Sequence, residues 1–516
     1  MNREDMLDRA RERGRRWDLL VIGGGATGLG IAVDAASRGH SVLLAERDDF
    51  AKGTSSRSTK LIHGGVRYLK QGNVALVAEA LKERAILRRN APQIVHERAF
   101  VVPSYEWWES PFYGVGLKLY DLLAGKHGFG PSRHLEVDEV VATIPNIETR
   151  GLLGGTRYFD GQFDDARLAL ALMQTAARKG AAVLNYCGAI GLRKTGGQIR
   201  GAVLREMESG NEFEVDARVV VNAAGPFCDD IRRLDDPVAA PIIAPSQGTH
   251  IVLPQKVLAG EAAIMVPHTA DGRVMFAIPW QSRVIVGTTE VAVSGPAIEP
   301  KPQAGEIEFL LAGANRYLAR AVSPDDILSA FAGIRPLVAG HGAPTASLSR
   351  EHTLLIDPVS GLLTVAGGKW TTYRRMAEDA VDMVETLGAL PARPCLTADL
   401  PIEMPGAAGI AAITQSDSGL GEPLHAALPL TPATVLWSCR HEMARRVEDV
   451  LARRSRCLLL DARAAMDVAP AVANLMATEL GRGEGWARQE IADFVALATG
   501  YRVDRFPNLL EASAGA

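Results

Sequence analysis

Cysteine is scarce in this 516-residue chain: Cys187, Cys228, Cys395, Cys439 and Cys457 are all it has, and no two stand at Cys-x-x-Cys spacing. That argues against an iron–sulfur cluster or a structural zinc site. It argues equally against a disulfide framework, and so for a reducing cytosol. No run of about 20 apolar residues occurs, so no transmembrane helix is predicted and any membrane contact has to be peripheral. Residues 1–16 are highly charged and lack the apolar core of a secretory signal. Net charge is only −4, so no global basic field points to nucleic acid. Internal repeats are lacking as well.

What is present reads as a globular protein. Hydrophobic residues make up 47% and charged residues 22%, and the length sets a prior of two or three domains. The first strong element is an apolar run over 19–22, followed at once by Gly23-x-Gly25-x-x-Gly28, an Ala-rich helical pattern over 29–38 closed by Gly39, and a second apolar run over 41–45 that ends at Glu46. This is a β-α-β unit. Gly23 permits the tight turn, Gly25 lets the backbone approach a pyrophosphate, and Gly28 lets the helix pack close to the strand. The helix N-terminus offers N–H groups and a positive dipole end to phosphates. Glu46, 18 residues past Gly28, is in range of a ribose hydroxyl pair. The motif alone does not separate NAD from FAD. Its place at the N-terminus, with the sheet rejoined late by a strand over 362–366, suits an FAD domain interrupted by a substrate domain.

Further along, 57–69 reads as a Gly-interrupted loop, 73–90 as a helix, and 165–179 as another. Three strands are predicted over 182–192, 198–206 and 212–222. Short β runs alternate with turns from 249 to 293, the pattern of an antiparallel sheet. A long helix over 371–387, a Pro-rich linker over 391–405 and a helical tail follow. Two stretches suit a bilayer surface: 107–123, rich in aromatic and aliphatic residues with Lys118, and 440–456, with six Arg against three acidic residues. A packed cap core and a solvated helix face are the structural alternatives.

The segment Gly53-Thr-Ser-Ser-Arg-Ser-Thr-Lys-Leu-Ile-His-Gly-Gly-Val-Arg-Tyr-Leu closely resembles a signature of the FAD-dependent glycerol-3-phosphate dehydrogenase family. Phe163-Asp-Asp-Ala-Arg-Leu, Asn222-Ala-Ala-Gly-Pro, Gly248-Thr-His-Ile-Val, Ile278-Pro-Trp, Gly287-Thr-Thr-Glu, Gly333-Ile-Arg-Pro-Leu and Gly367-Gly-Lys-Trp-Thr-Thr-Tyr-Arg agree with the family in order. The resemblance runs from about 17 to 385 and continues more loosely through the tail. Departures are mild: Thr59 stands where the family usually has Ser, and Val66 where it often has Leu.

The resemblance implies an α/β FAD-binding Rossmann-like domain of the glutathione-reductase/D-amino-acid-oxidase type, an antiparallel-sheet substrate (cap) domain and an α-helical C-terminal domain. The expected layout is FAD-binding segments at 17–100, 161–245 and 341–390, a cap insertion at 101–160, a substrate-binding sheet at 246–340 and a helical domain at 391–516. It implies noncovalent FAD, sn-glycerol 3-phosphate as substrate, ubiquinone or menaquinone as electron acceptor, and attachment to the cytoplasmic side of the cell membrane. A homodimer, and no metal, complete the expectation. Without a Cys-x-x-Cys, the chain looks like the stand-alone, quinone-reducing form.

Within that resemblance, Arg67 and Arg335 are candidates for the substrate phosphate, a planar fork being suited to two oxygens. Tyr68 and Thr289 are candidate hydroxyl donors. The proton acceptor for the C2 hydroxyl is His250 first and His63 second, with polarisation by Arg335 and proton transfer to water as the alternative. Lys369 is a catalytic candidate, either a cation beside the flavin that stabilises its reduced form or a contact to the substrate. The cofactor set comprises Gly23, Gly25, Ala26, Thr27, Gly28, Glu46, Arg47, Thr54, Ser55, Ser58, Lys60, His63, Gly64, Gly65, Ala224, Gly225, Gly368, Lys369 and Thr371. Ser56 and Thr372 are weaker members. The competing readings are a flavoenzyme of the same fold acting on an amine or hydroxy acid, and a non-catalytic FAD-binding protein.

Overall fold

The strand Arg16–Ile22 is apolar and buried from Leu19 onward because it lies inside a sheet covered on both faces. A computed structural model of the chain describes residues 1–65, 73–267, 269, 272–339, 352–404 and 406–506. Its first sheet runs His352–Ile356, Leu363–Gly367, Glu212–Asn222, Arg16–Ile22, Val42–Ala45, Ala182–Leu184, and Gln198–Glu206 and Cys187–Thr195 extend it from Glu212–Asn222. The four central pairings are parallel. Their carboxyl ends therefore come to one edge, carrying Gly23, Glu46, Ala223 and Gly367 to the same place.

The helix after the first strand spans Ala26–Ser37 and packs against Tyr373–Leu387 and Asp165–Arg178. A Cβ on Gly30 would come within 2.9 Å of the Tyr373 ring, so glycine is what allows that approach. The helices expected at 73–90 and 165–179 are found at Val74–Asn90 and Asp165–Arg178. Each starts on a side-chain cap: Asn73 accepts the Leu76 amide and Asp164 accepts that of Arg167. The single strand expected at 182–192 is broken at Asn185-Tyr186, where Tyr186 takes φ +49.

The second sheet has ten strands, in the order Val291–Ala292, Ile243–Pro254, Arg283–Gly287, Met275–Trp280, Ala263–Val266, Val95–Ser104, Gly154–Phe163, Leu61–Ile62. Ser329–Val338 pairs along Ile243–Pro254 and Arg133–Leu135 along Gly154–Phe163. The layout expected from sequence is corrected here. Strands from 101–160 and 246–340 are not separate blocks but one sheet, and that sheet starts inside the span expected for the FAD domain, at Leu61 and Val95. The link is the parallel pairing of Ala263–Val266 with Val95–Ser104.

The tail is helical as expected, with Pro432–His441, Ala462–Glu479 and Glu484–Thr499 its longer elements within the domain core. Its apolar residues share one core with Val252, Trp280, Ile285 and Phe331 of the second sheet. The Pro-rich stretch before it is tied down rather than loose. Ile402 donates its amide to the Asn90 carbonyl at 2.7 Å, and the Asn90 side chain donates to Thr397 O at 2.9 Å. Residues 1–16, charged in sequence, include a helix, Arg3–Arg11, that buries Met6, Leu7 and Ala10.

Candidate active site

Two cavities meet at residues 367–370. The smaller, about 350 Å³, lies at the carboxyl edge of the parallel strands and is lined by Gly23, Gly25, Ala26, Thr27, Glu46 and Arg47. Ala224, Gly225, Gly368 and Lys369 close its other side. Gly23 takes φ +112, and a Cβ on it would sit 2.5 Å from the Ala223 carbonyl oxygen. A Cβ on Gly28 would run into the Gly23 carbonyl. Both glycines are thus imposed by close backbone approach, as a dinucleotide cradle requires. Ser55 Oγ covers the N-terminus of the helix and accepts the Ala26 amide at 2.9 Å. Glu46 accepts the Gly24 amide at 2.6 Å and the Asp48 amide at 2.8 Å. Burial pushes its carboxyl up to about 7 despite those two donors. An acceptor at the end of the second strand, a helix N-terminus in the cavity wall and two space-making glycines fit a dinucleotide.

The larger cavity, about 1050 Å³, lies between the two sheets. His250, Arg335, His63, Lys369 and Thr371 line it, together with Thr59 and Gly65. His250 stacks on Phe331 with ring centroids 4.8 Å apart, and its Nε2 is 2.9 Å from Thr59 Oγ1. Burial, with Lys60 and Arg335 nearby, pushes its pKa well below the ordinary histidine value, so the imidazole is neutral. Arg335 donates to Thr288 Oγ1 and to Thr289 O, both at 3.0 Å, and to Gln247 O at 3.3 Å. These bonds lay its guanidinium flat along the sheet, where a Cβ on Gly248 would collide with it. A Cβ on Gly287 would likewise strike the His250 ring. The motif glycines beside His250 and Thr288 therefore make room for the two side chains the chemistry needs.

Not every predicted residue is in these walls. Lys60 was expected at the cofactor, but it is fully buried, donating to Asp165 Oδ2 at 2.7 Å and Ser56 O at 2.8 Å. Ser58 also donates to Asp165, from Nα at 3.0 Å and Oγ at 2.7 Å, and faces the larger cavity rather than the smaller. Gly64 spends its amide on the Tyr120 hydroxyl at 2.9 Å and lines neither cavity. Thr289 borders the larger cavity, but its one hydroxyl proton goes to Glu306 Oε1 at 2.6 Å, so it is not a donor to substrate. Arg67 and Tyr68 lie outside the described residues. Sequence reasoning passed over Thr59, Thr288 and Trp370, whose Nε1 donates to Ser55 O at 2.9 Å. All three stand inside quoted motifs, the one signal that was available.

The basic stretch 440–456 is corrected too. Arg453, Arg454 and Arg456 are buried, and Arg440 and Arg445 are each held by two bonds to a glutamate, Glu479 and Glu208. It does not present six free cations to a surface. The stretch 107–123 differs: its helix, Glu109–Ala124, buries Leu117, Tyr120 and Ala124 and exposes Phe112, Val115, Leu119 and Leu122, with Trp107 80% exposed just before it. Phe112, Tyr113 and Gly116 from this helix also roof the larger cavity. Among the described residues no helix is long and apolar enough to cross a membrane.

Comparison with known proteins agrees with this geometry. A family profile described as FAD dependent oxidoreductase matches residues 18–374, and one described as the C-terminal domain of alpha-glycerophosphate oxidase matches 406–490. The mitochondrial glycerol-3-phosphate dehydrogenase of Arabidopsis thaliana is 40% identical over 92% of this chain and 84% of its own. That of Homo sapiens is 40% identical over 90% of this chain and 70% of its own. The glycerol-3-phosphate dehydrogenase of Bacillus halodurans, solved in complex with FAD, superposes with a TM-score of 0.77 at 27% identity, covering 98% of both chains. The L-alpha-glycerophosphate oxidase of Mycoplasma pneumoniae, at 16% identity and TM-score 0.59, covers 76% of this chain and 100% of its own and shares the fold.

Proposed function

This chain belongs to the FAD-dependent glycerol-3-phosphate dehydrogenase family, and from that membership we propose that it oxidises sn-glycerol 3-phosphate to dihydroxyacetone phosphate and passes the electrons to a membrane quinone. Its cofactor is FAD. The observation that carries the reading is the junction at 367–370, where the dinucleotide cradle opens onto a second cavity holding a neutral histidine and two cations.

Bound in the cradle, FAD supplies the hydride acceptor for C2 of the substrate. The protein binds, orients and takes the proton. Glu46 would accept the ribose hydroxyls, and the helix N-terminus at Ala26 would offer its positive dipole end to the pyrophosphate. Arg335, pinned by three oxygens, offers a fixed positive charge to the phosphate or to the C2 oxygen. His250 is the base in this reading: a neutral imidazole accepts the C2 hydroxyl proton, and Thr59 Oγ1 orients the ring through Nε2. Lys369, on the wall shared by both cavities, places a cation where negative charge develops during transfer.

The cavity volume exceeds what a three-carbon phosphate fills, and its remaining wall is apolar, with Phe100, Leu117, Met265 and Phe276 among its residues. That wall leads to the exposed aromatic helix. Both features support quinone entry from a bilayer on which the helix rests, peripherally and, in this reading, at the cytoplasmic side. The test is anaerobic: the yellow holoprotein is mixed with sn-glycerol 3-phosphate, glycerol, amino acids or 2-hydroxy acids. Bleaching by the first alone is expected; bleaching by an amino or hydroxy acid instead, or by none, overturns the assignment.

A further inference from the structure

The segment between Glu46 and Ser58 has almost no regular structure, a single 3-10 turn at Thr54–Ser56, yet it forms one wall of the cofactor cradle through Asp48, Ala51, Lys52, Gly53, Thr54 and Ser55. Its shape is set by side-chain bonds, and most of those on its far side come from the helical tail, some 400 residues later. Asp49, fully buried, accepts from Arg453 Nε at 2.5 Å and from Arg454 Nη2 at 2.9 Å. Lys52 donates to Glu448 Oε2 at 2.9 Å. Arg456 Nη2 donates to the Ser56 carbonyl at 2.8 Å and to Asp165 Oδ1 at 2.9 Å.

The tail delivers Arg453 and Arg454 from a six-residue π-helical turn, Asp449–Arg454, with Glu448 just before it and Arg456 two residues after. Within it, Arg453 also binds Glu448 and Asp449, both at 2.6 Å. Three acids, Asp49, Glu448 and Asp449, thus face three cations, Lys52, Arg453 and Arg454, with Asp49, Asp449, Arg453 and Arg454 buried and Lys52 and Glu448 nearly so. Asn185, at the broken strand corner, adds donors to Asp49 Oδ1 at 3.1 Å and to Met443 O at 2.9 Å. Burial alone would raise the Asp49 carboxyl, but Arg454 and Arg453 outweigh it and hold it at about 2. Left without those guanidiniums, a buried carboxylate would have to draw water in or move outward, and the cradle wall would move with it.

We propose that the C-terminal helical domain is a positioning element for FAD: through Arg453, Arg454, Arg456 and Glu448 it clamps residues 49–56 in the conformation that completes the cofactor cradle. Asp49 and Arg454 touch no substrate and act only through that wall. The inference rests on FAD binding, and on neither the base assignment nor the quinone reading.

The test is reconstitution of the full-length apoprotein with FAD, followed by quenching of flavin fluorescence, for the wild type, Arg454→Met, Asp49→Asn and Glu448→Gln. Arg440→Met, which removes an exposed pair within the tail, is the control. The clamp predicts an FAD dissociation constant raised about tenfold or more in the first three variants and unchanged in the control, because breaking a buried pair leaves a charge unmatched. It also predicts that saturating FAD restores their kcat and KM for sn-glycerol 3-phosphate. Dissociation constants within about twofold of wild type, the scatter of independent sites, would overturn the proposal. So would losses of activity that saturating FAD does not restore, which mark a folding role alone. Glu448→Gln, which keeps shape and volume, decides the matter if the other variants fail to fold. A wild-type protein that takes up FAD but is not reduced by the substrate would fail the proposed function and leave the clamp standing.

Discussion

His250 is buried against Phe331 and two cations lie near it, so its proton affinity is low until substrate arrives. A base of this kind titrates well below the ordinary histidine range in the free enzyme. The expected pH profile of kcat/KM therefore shows no histidine inflection of its own between about pH 6 and 8. His250→Asn should slow substrate-driven flavin reduction by about 10²- to 10³-fold while leaving FAD content unchanged; reduction at the wild-type rate would remove His250 from the reaction. Glu46 gives the opposite behaviour. Its folded value, about 7, stands above the ordinary carboxylate value, so the folded apoprotein holds a proton that the unfolded chain has lost. That difference makes apoprotein stability fall as pH rises from about 4 towards 7. Ribose hydroxyls donate to the ionised form, so FAD binding expels the proton and tightens as pH rises through about 7. The rise in melting temperature on adding FAD should be larger at pH 8 than at pH 6 by this linkage, and Glu46→Gln should abolish the difference. Positions were legible where a motif imposes geometry: Gly23, Gly25 and Glu46 line the smaller cavity, and Gly28 packs against the Gly23 carbonyl. They were not legible where a motif serves packing. Lys60, Ser58, Gly64 and Thr289 sit in the same signatures, but their partners, Asp165, Tyr120 and Glu306, are far away in sequence, and nothing local announces that their polar groups are already committed.

Among the elements, the helix Glu109–Ala124 is the one whose two faces ask different things of the solvent. One face packs through Leu117, Tyr120 and Ala124; the other carries Phe112, Val115, Leu119 and Leu122 into the open, beside Trp107. Co-sedimentation with phospholipid vesicles should fall on the order of tenfold for each large apolar side chain removed. Leu122→Ser is the informative substitution, because Leu122 is exposed and lines neither cavity. Activity with a soluble dye acceptor should be untouched, and vesicle binding equal to wild type would dismiss this face as the contact. Elements with a cap and a clean period were readable, as the helices that begin after Asn73 and Asp164 show. The strands Val95–Ser104 and Gly154–Phe163 were missed because His96, Glu97, Arg98, Arg157 and Asp160 interrupt their apolar pattern. Their polar groups are matched instead, Arg98 by Gln162 across the strand pair and Asp160 by Arg84 of the helix Val74–Asn90. The arginines of 440–456 misled for a related reason: a run of charge reads as surface until its counter-charges, here Asp49, Asp165, Glu208 and Glu479, are known.

For the molecule as a whole, the β-α-β start, the late return strand and the helical tail were readable, because each rests on local pattern. The second sheet's unity was not, since the pairing of Ala263–Val266 with Val95–Ser104 is a matter of register between distant segments. The same long reach governs how the protein comes into being on the ribosome. The strand Arg16–Ile22 has one parallel neighbour at Glu212–Asn222, whose own neighbour, Leu363–Gly367, is made later still. Asp49 meets Arg454 only 405 residues after its own synthesis. An emerging chain thus exposes an open parallel edge and an unmatched acid for most of its translation, the situation in which aggregation competes with folding. With the tail as the proposed clamp, cofactor insertion is expected late in the life of the nascent chain, after the tail has left the exit tunnel, so the yield of active protein should depend more on chaperone supply than on flavin supply.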